Sequence, residues 1–347
     1  MKNYMQLPLL YQKNTHDILF TQILDSLIIY PMSPVLMKKK ICVIGASGLL
    51  GYKIISRYTD YEIFGTYNQT PVNHHDISLI QLDITKSEDC EKIIEFKPDF
   101  IINTAGITNV DYCEKYKEES YLVNVIGTRN IVKIANKLNC KLVHISTDGI
   151  FSGKNLNYTE NDLPDPINQY GKTKLESENE VRLLNDYLIL RTNVLYGYVS
   201  NNLIKSRSNY LKPLNFGLWV LSELYQNKNI KIVNDQFSNP TLADNLARII
   251  IDCIKANLVG TFHSTDLTCI SRLEFSKKLA EKFGFSEKLI TEISLKDLGL
   301  LAPRPLKTCL DCSKIIKNGI KLSSLDNALD IMYNQIQKEN PSMNFLV

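Results

Sequence analysis

The sequence predicts an α/β fold, a doubly wound parallel sheet that carries a smaller, discontinuous α/β lobe. Three observations predict it. From residue 41 onward, short β-branched runs alternate with longer helical stretches, the mark of a parallel sheet covered by helices on both faces. A glycine-rich turn, Gly45-Ala46-Ser47-Gly48-Leu49-Leu50-Gly51, directly follows the first of those runs. The 347 residues also exceed what one small core needs, so a second lobe is expected beside the first.

In chain order the predicted strands are Ile41 to Ile44, Glu62 to Tyr67, Ile80 to Leu82, Phe100 to Asn103, Lys141 to Ser146 and Tyr187 to Arg191. Helices are predicted between them at Leu49 to Tyr58, Lys86 to Phe96, Lys117 to Leu138 and Tyr170 to Leu184, with Pro98 closing the second. After Tyr196 the alternation weakens. A helix is expected around Phe216 to Gln226, a strand at Ile230 to Val233, a long apolar helix over Thr241 to Ala256, and a strand at Gly260 to Ser264 that returns to the main sheet. This order assigns residues 37–195 plus about 241–264 to the sheet domain, and about 196–240 plus 265–347 to a substrate-binding lobe. Residues 1–36 read as an extension, because Met37-Lys38-Lys39-Lys40 followed by Ile41 already has the form of a protein start. Within it Asp17 to Asp25 has the pattern of a short helix, and its acidic residues interrupt any run long enough for a signal or a membrane span.

Composition narrows the function. With 44% hydrophobic and 22% charged residues the chain is globular, and a net charge of +3 spread among both signs offers no basic stripe for nucleic acid. A cytoplasmic protein without nucleic-acid or membrane partners is expected. The eight cysteines show neither disulfide-scaffold clustering nor paired zinc knuckles, so they read as ordinary thiols, the lone C-x-x-C of Cys309 and Cys312 included.

The glycine turn is the dinucleotide fingerprint in its proper setting, after a strand and before a helix, so the sheet is expected to be Rossmann-type. Gly45 permits the tight turn, Gly48 lets the backbone approach a pyrophosphate, and Gly51 allows close helix packing. The second strand ends in Gly65-Thr66-Tyr67-Asn68-Gln69-Thr70, with no acid to bond a ribose 2′-hydroxyl, which favours NADPH and leaves NADH as the alternative. A 2′-phosphate would then fall to Thr66, Asn68 or a cation from elsewhere such as Arg57. Asp83 is placed either to meet the adenine edge or to cap the turn before Thr85. Thr104, Ala105 and Gly106, after the fourth strand, are small enough for the nicotinamide ribose to pass.

Tyr170 and Lys174 sit four apart at the start of a helix and so project from one face. A phenol is a poor proton donor near neutrality, and a neighbouring ammonium is expected to lower its pKa so that it exchanges a proton with a carbonyl oxygen. No other tyrosine here has a lysine at that offset. Thr147, just past the fifth strand, would hold the same oxygen, with Asp148 either in support or serving a turn. Asn124, polar inside a long helix, calls for a functional or capping reason.

Taken in order from about Met37 to the C-terminus, these segments resemble the dTDP-4-dehydrorhamnose reductase family of extended short-chain dehydrogenases. The likeness is carried by Gly45 to Gly51, Leu82-Asp83-Ile84-Thr85, Asn103-Thr104-Ala105-Gly106, Val110-Asp111 with Cys113-Glu114, Ser146-Thr147-Asp148, and Tyr170 to Glu176. Arg191-Thr192, Asp235-Gln236 with Pro240-Thr241, and Arg304-Pro305 continue it. The resemblance implies reduction of the C4 keto group of a dTDP-linked deoxysugar, with Thr147, Tyr170 and Lys174 as the catalytic set and Asn124 bonding a water linked to the lysine. It also implies Ser47, Leu49, Leu50, Asn68, Asp83 and Ile84 beside the cofactor. Asp111, Glu114, Asp235, Gln236 and Arg304 would face the nucleotide sugar, Arg304 as phosphate ligand. A homodimer is the assembly that relatives suggest. Two positions depart from the family: Gly149 stands where a tyrosine is usual, and Asn193-Val194 where a tryptophan is common. Two other functions share the pattern, a nucleotide-sugar epimerase or dehydratase of the same fold and a regulatory subunit resembling that of methionine adenosyltransferase.

Overall fold

Seven parallel strands form the centre of the computed structural model, which describes residues 38–58, 60–72, 77–198 and 215–343. They are β1 (Lys40–Ile44), β2 (Glu62–Tyr67), β3 (Ser78–Gln81), β4 (Phe100–Asn103), β5 (Lys141–Thr147), β6 (Tyr187–Thr192) and β7 (Gly260–His263). Their order across the sheet is β7-β6-β5-β4-β1-β2-β3, every neighbour parallel. The order reverses between β1 and β4, where a crevice opens at the carboxyl ends of the strands.

Alternate side chains of each strand feed opposite faces. Ile41 and Val43 of β1 join one cluster with α1 (Leu49–Ile55) and α5 (Ala243–Lys255), whose Leu246, Ile249 and Ile250 are wholly buried. Cys42 and Ile44 join the other with α2 (Gly127–Leu138), through Ile131 and Ala135. A third cluster is built from α4 (Phe216–Tyr225), α6 (Arg272–Phe283) and α7 (Leu325–Glu339) around Tyr196 and Phe275. This matches the expected fold class, a seven-strand sheet with flanking helices.

Some boundaries differ from the prediction. The helix expected over Lys86 to Phe96 breaks into Ser87–Cys90 and Lys92–Phe96. The one expected over Lys117 to Leu138 contains a π-helical turn, Leu122–Ile126, between two α segments. The expected start at Thr241 is instead a short strand, Thr241–Leu242, paired with Leu195–Tyr196, and α5 begins at Ala243. Val110–Lys115, α6 and α7 were not foreseen. Residues 1–36, including the expected helix at Asp17 to Asp25, lie outside the described residues. Among the described residues no helix is long and apolar enough to cross a membrane.

The cysteine reading needs one correction. Cys269 and Cys309 form a disulfide, with Cα atoms 5.7 Å apart, because Phe237–Ser238 pairs with Ile270–Ser271 while Phe237 also hydrogen-bonds Leu306 and Thr308, just before Cys309. Two residues 40 apart in sequence carry no local sign of such a pairing. Cys312 stays a buried thiol with Thr265 Oγ1 3.2 Å away. Closing a loop of that length should contribute about 2–4 kcal/mol. The midpoint of chemical unfolding is therefore expected to fall on adding dithiothreitol to the native chain, and to be indifferent to it in a Cys269→Ser/Cys309→Ser variant.

Candidate active site

The glycine turn is held by contacts that only glycine allows. Gly45 has φ of +80°, and a Cβ there would lie 3.1 Å from the Ala105 nitrogen and from Thr104 Oγ1. A Cβ on Gly51 would come within 2.3 Å of the Gly45 carbonyl oxygen, so the third glycine lets α1 pack onto the turn. Thr104 donates its hydroxyl to the Ile44 carbonyl (2.7 Å), and Thr66 Oγ1 accepts from Gly45 N–H, which ties the turn to β1, β2 and β4. The helix begins at Leu49 without a side-chain cap, leaving its first amides facing the crevice with Gly45, Gly48, Leu49 and Leu50 on the wall. The cradle fits a pyrophosphate by backbone alone.

Thr147, Tyr170 and Lys174 line the same cleft of about 610 Å³ as the glycine turn and Thr104, Ala105 and Gly106. Thr147 ends β5, and Tyr170 and Lys174 lie in the first turns of α3 (Gln169–Val181), whose N-cap Asn168 accepts from Gly171 N–H at 2.9 Å. A side-chain hydrogen bond joins Tyr170 to Thr147. Thr147 Oγ1 also accepts from Gly149 N–H (3.0 Å) and lies 3.0 Å from Asp148 Oδ1. At Gly149 any Cβ would stand 3.3 Å from the Tyr170 ring, so this position gives the phenol its room.

The electrostatics differ from the expectation. Burial pushes the Tyr170 phenol above its ordinary pKa, and the Asp148 carboxylate pushes the same way, while the bond with Thr147 opposes them. The expected lowering by Lys174 is absent because the ammonium is engaged elsewhere: it donates to the Ile145 carbonyl (2.7 Å) and sits 3.2 Å from His144 Nε2. Burial lowers Lys174 to about 8, partly offset by Glu178. Burial also holds His144 well below its usual value, so it stands neutral under the lysine. Asp148 is raised by burial against hydrogen bonds from Thr308 and Thr147. The phenol thus stays protonated across the neutral range and gives up its proton only to an oxygen that gains charge.

One helical turn beyond Lys174, Glu178 anchors the helix to the sheet. It accepts from Ser146 Oγ (2.5 Å), from Arg191 Nε and Nη2 (2.9 and 2.8 Å) and from Arg182 (2.6 Å), and it is wholly buried. Ser146 precedes Thr147, so this ion pair fixes both walls of the site.

The other predicted residues have these partners and places. Asn124, 2% exposed in the π-helical turn, bonds Ile107 through both its amide nitrogen and its oxygen, and bonds Thr173 Oγ1 at 3.1 Å. Its side chain fastens the 106–107 loop to α3. Asp83 accepts from the amide and hydroxyl of Thr85, the capping role. Ile84 is buried in the core against Gly127, Ser47 is buried behind the turn, and Asn68 is exposed at the end of β2, so none of these lines the cleft. Arg57 pairs with buried Asp244 at 3.2 Å. Glu114 accepts from Gln169 N–H at the start of α3, and Asp235 accepts from Ser294 and Leu295, so both carboxylates brace loops. Gln236 and Arg304 do line the cleft, but Arg304 is neutralised by Asp111 at 2.8 Å.

Sequence reasoning missed Arg272, a second guanidinium on the cleft wall, since nothing local marks it. It also missed the conformation of Val194, which lines the cleft at φ of 40°, an unfavourable setting for a β-branched side chain.

The chain is similar to known proteins over most of its length. The family model described as RmlD substrate binding domain matches residues 39–338. The probable low-salt glycan biosynthesis reductase Agl14 of Haloferax volcanii is 32% identical over 278 residues, 79% of this chain and 90% of its own length. A crystal structure of dTDP-4-dehydrorhamnose reductase from Bacillus anthracis in complex with NADP superposes with a TM-score of 0.76 at 29% identity, covering 86% of this chain and all of that one. Methionine adenosyltransferase 2 subunit beta of Xenopus tropicalis is 28% identical over 293 residues, 81% of this chain and 83% of its own.

Proposed function

Because the chain belongs to the dTDP-4-dehydrorhamnose reductase family, we propose that it reduces the 4-keto group of a nucleotide-linked deoxysugar, with NADPH as reductant and NADH as the alternative. The observation that carries this reading is the meeting of Tyr170, Thr147 and Lys174 with the Gly45–Gly51 turn in one cleft. A dinucleotide seated on that turn would supply hydride to the carbonyl carbon. This chain supplies the rest. Thr147 and Tyr170 hold the carbonyl oxygen, and the Tyr170 hydroxyl gives it a proton as it gains charge, so that C=O becomes CH–OH. Lys174 lines the same cleft, and with its ammonium held by the Ile145 carbonyl its positive charge favours charge developing on the substrate oxygen. The dTDP-4-dehydrorhamnose to dTDP-rhamnose conversion is the specific reaction proposed.

The test is to follow NADPH absorbance with purified protein and dTDP-4-dehydro-6-deoxyhexose. One NADPH is expected to disappear per sugar reduced. An unchanged NADPH level with an altered sugar would instead mark an epimerase or dehydratase, and no turnover beside a co-purifying enzyme would mark a regulatory subunit like the relative in Xenopus. Retention of the phenol, hydroxyl and ammonium in the cleft supports catalysis over that last reading.

The rate should depend on pH through Lys174. Its ammonium loses its proton above about pH 8, and the phenol does not titrate before it, so kcat/KM is expected to hold near neutrality and fall as pH rises through about 8. A profile flat to pH 10 would contradict an electrostatic role for Lys174.

A further inference from the structure

The cleft holds two guanidinium groups and only one of them has its charge answered. Arg304 is bound by Asp111 at 2.8 Å and donates its other terminal nitrogen to the Ala302 carbonyl. Arg272 has no carboxylate within ion-pair distance among the described residues, and its guanidinium lies over the Phe216 ring, 4.6 Å from the centroid. Its backbone is fixed, since Ser271 and Glu274 form a capping box at the start of α6 and Arg272 N–H donates to the Gln236 carbonyl at 3.0 Å. The ring presents a flat, preorganised fork to the cleft.

Its surroundings also await an anion. Ser238, 3% exposed and on the same cleft wall, has a buried hydroxyl without a partner. Asp148 and Arg304 act on Arg272 only at a distance and in opposite senses, and burial lowers it to about 10. A buried cation that is held down in this way gains most from a dianionic ligand.

We propose that Arg272, with the Ser238 hydroxyl, takes a phosphoryl oxygen of the nucleoside diphosphate that carries the sugar, in the place that charge alone assigned to Arg304. The proposal rests on the nucleotide-sugar reading above and sharpens it. Its position suits the role. Arg272 starts the α6 helix and lines the cleft together with Thr147 and Tyr170, near enough to feel the charge of Asp148, the residue after Thr147. A sugar whose keto carbon meets Tyr170 would carry its anomeric phosphate elsewhere in that cleft.

The experiment measures binding of dTDP, UDP, GDP and the nucleoside thymidine by calorimetry to the native chain, Arg272→Gln, Arg272→Lys and Arg304→Gln, each with NADPH affinity as the control for folding. Loss of a charge-assisted fork contributes roughly a 30- to 100-fold change in affinity. Arg272→Gln is expected to weaken the diphosphate that the native chain binds by that factor, to leave thymidine and NADPH unchanged, and to be partly relieved in Arg272→Lys. Arg304→Gln should cost less, because its charge is already spent on Asp111. Diphosphate affinity unchanged in Arg272→Gln overturns the proposal and leaves the reductase reading standing, as does a loss of NADPH affinity in place of diphosphate affinity. A native chain that binds none of the three diphosphates overturns both.

Discussion

Tyr170→Phe is expected to lower kcat by about 10²- to 10⁴-fold, the contribution of a positioned general acid, with NADPH affinity retained. Phenylalanine keeps the ring that packs beside Gly149 and removes only the hydroxyl bonded to Thr147. The cofactor cradle is backbone from Gly45 to Gly51 and does not depend on that hydroxyl. Burial keeps the phenol protonated, while its neighbours in the cleft are engaged: Lys174 is turned to Ile145 and His144, and Asp148 is bonded to Thr308. A loss smaller than about tenfold would mean that the proton comes from another group or from water.

Glu178→Ala is expected to cost about 3–5 kcal/mol of stability, the usual result of leaving one half of a buried ion pair uncompensated. Arg191 is 2% exposed and would keep its charge with no carboxylate in reach of Nε and Nη2. The same substitution frees Ser146 and loosens α3 from β5 and β6, so activity should fall with stability even though Glu178 touches no substrate. Urea unfolding of the variant beside the native chain measures the cost, and a difference below about 1 kcal/mol would contradict the anchoring role. Glu178→Gln, which keeps one acceptor for Ser146 and Arg191, should lie between the two.

What the sequence made legible was local. Ile41 to Ile44 followed by Gly45 to Gly51 states its strand, turn and helix within eleven residues, and the structure places them so. Tyr170 and Lys174 are one helical turn apart, so their common face needed no tertiary knowledge. Even the return of Gly260–His263 to the main sheet was readable from its alternation with the apolar run before it. Some signals were present but unread: Ser271-Arg272-Leu273-Glu274 is a capping box, and Leu325, Ala328, Leu329, Met332 and Ile336 repeat at helical spacing.

Other features depend on partners far away in the chain. Asp111 takes Arg304 across 193 positions, which leaves Arg272 as the guanidinium of the cleft with no carboxylate partner among the described residues, and no window of sequence contains both facts. Lys174 was expected to tune Tyr170, but whether an ammonium serves a phenol or a carbonyl is settled by the position of Ile145 and His144 in β5. Asn124 sits in the π-helical turn Leu122–Ile126 and holds Ile107, a backbone detail that hydrophobic spacing does not encode.

The central claim is hydride delivery to a sugar carbonyl that Tyr170 protonates, and isotope transfer tests it most directly. With NADPH deuterated at the transferring position of its nicotinamide and dTDP-4-dehydro-6-deoxyhexose as acceptor, mass and proton spectra of the product should show one deuterium, bonded to C4, for each NADPH consumed. Product without deuterium at C4, or deuterium incorporated at an undiminished rate by the Tyr170→Phe variant, would contradict it.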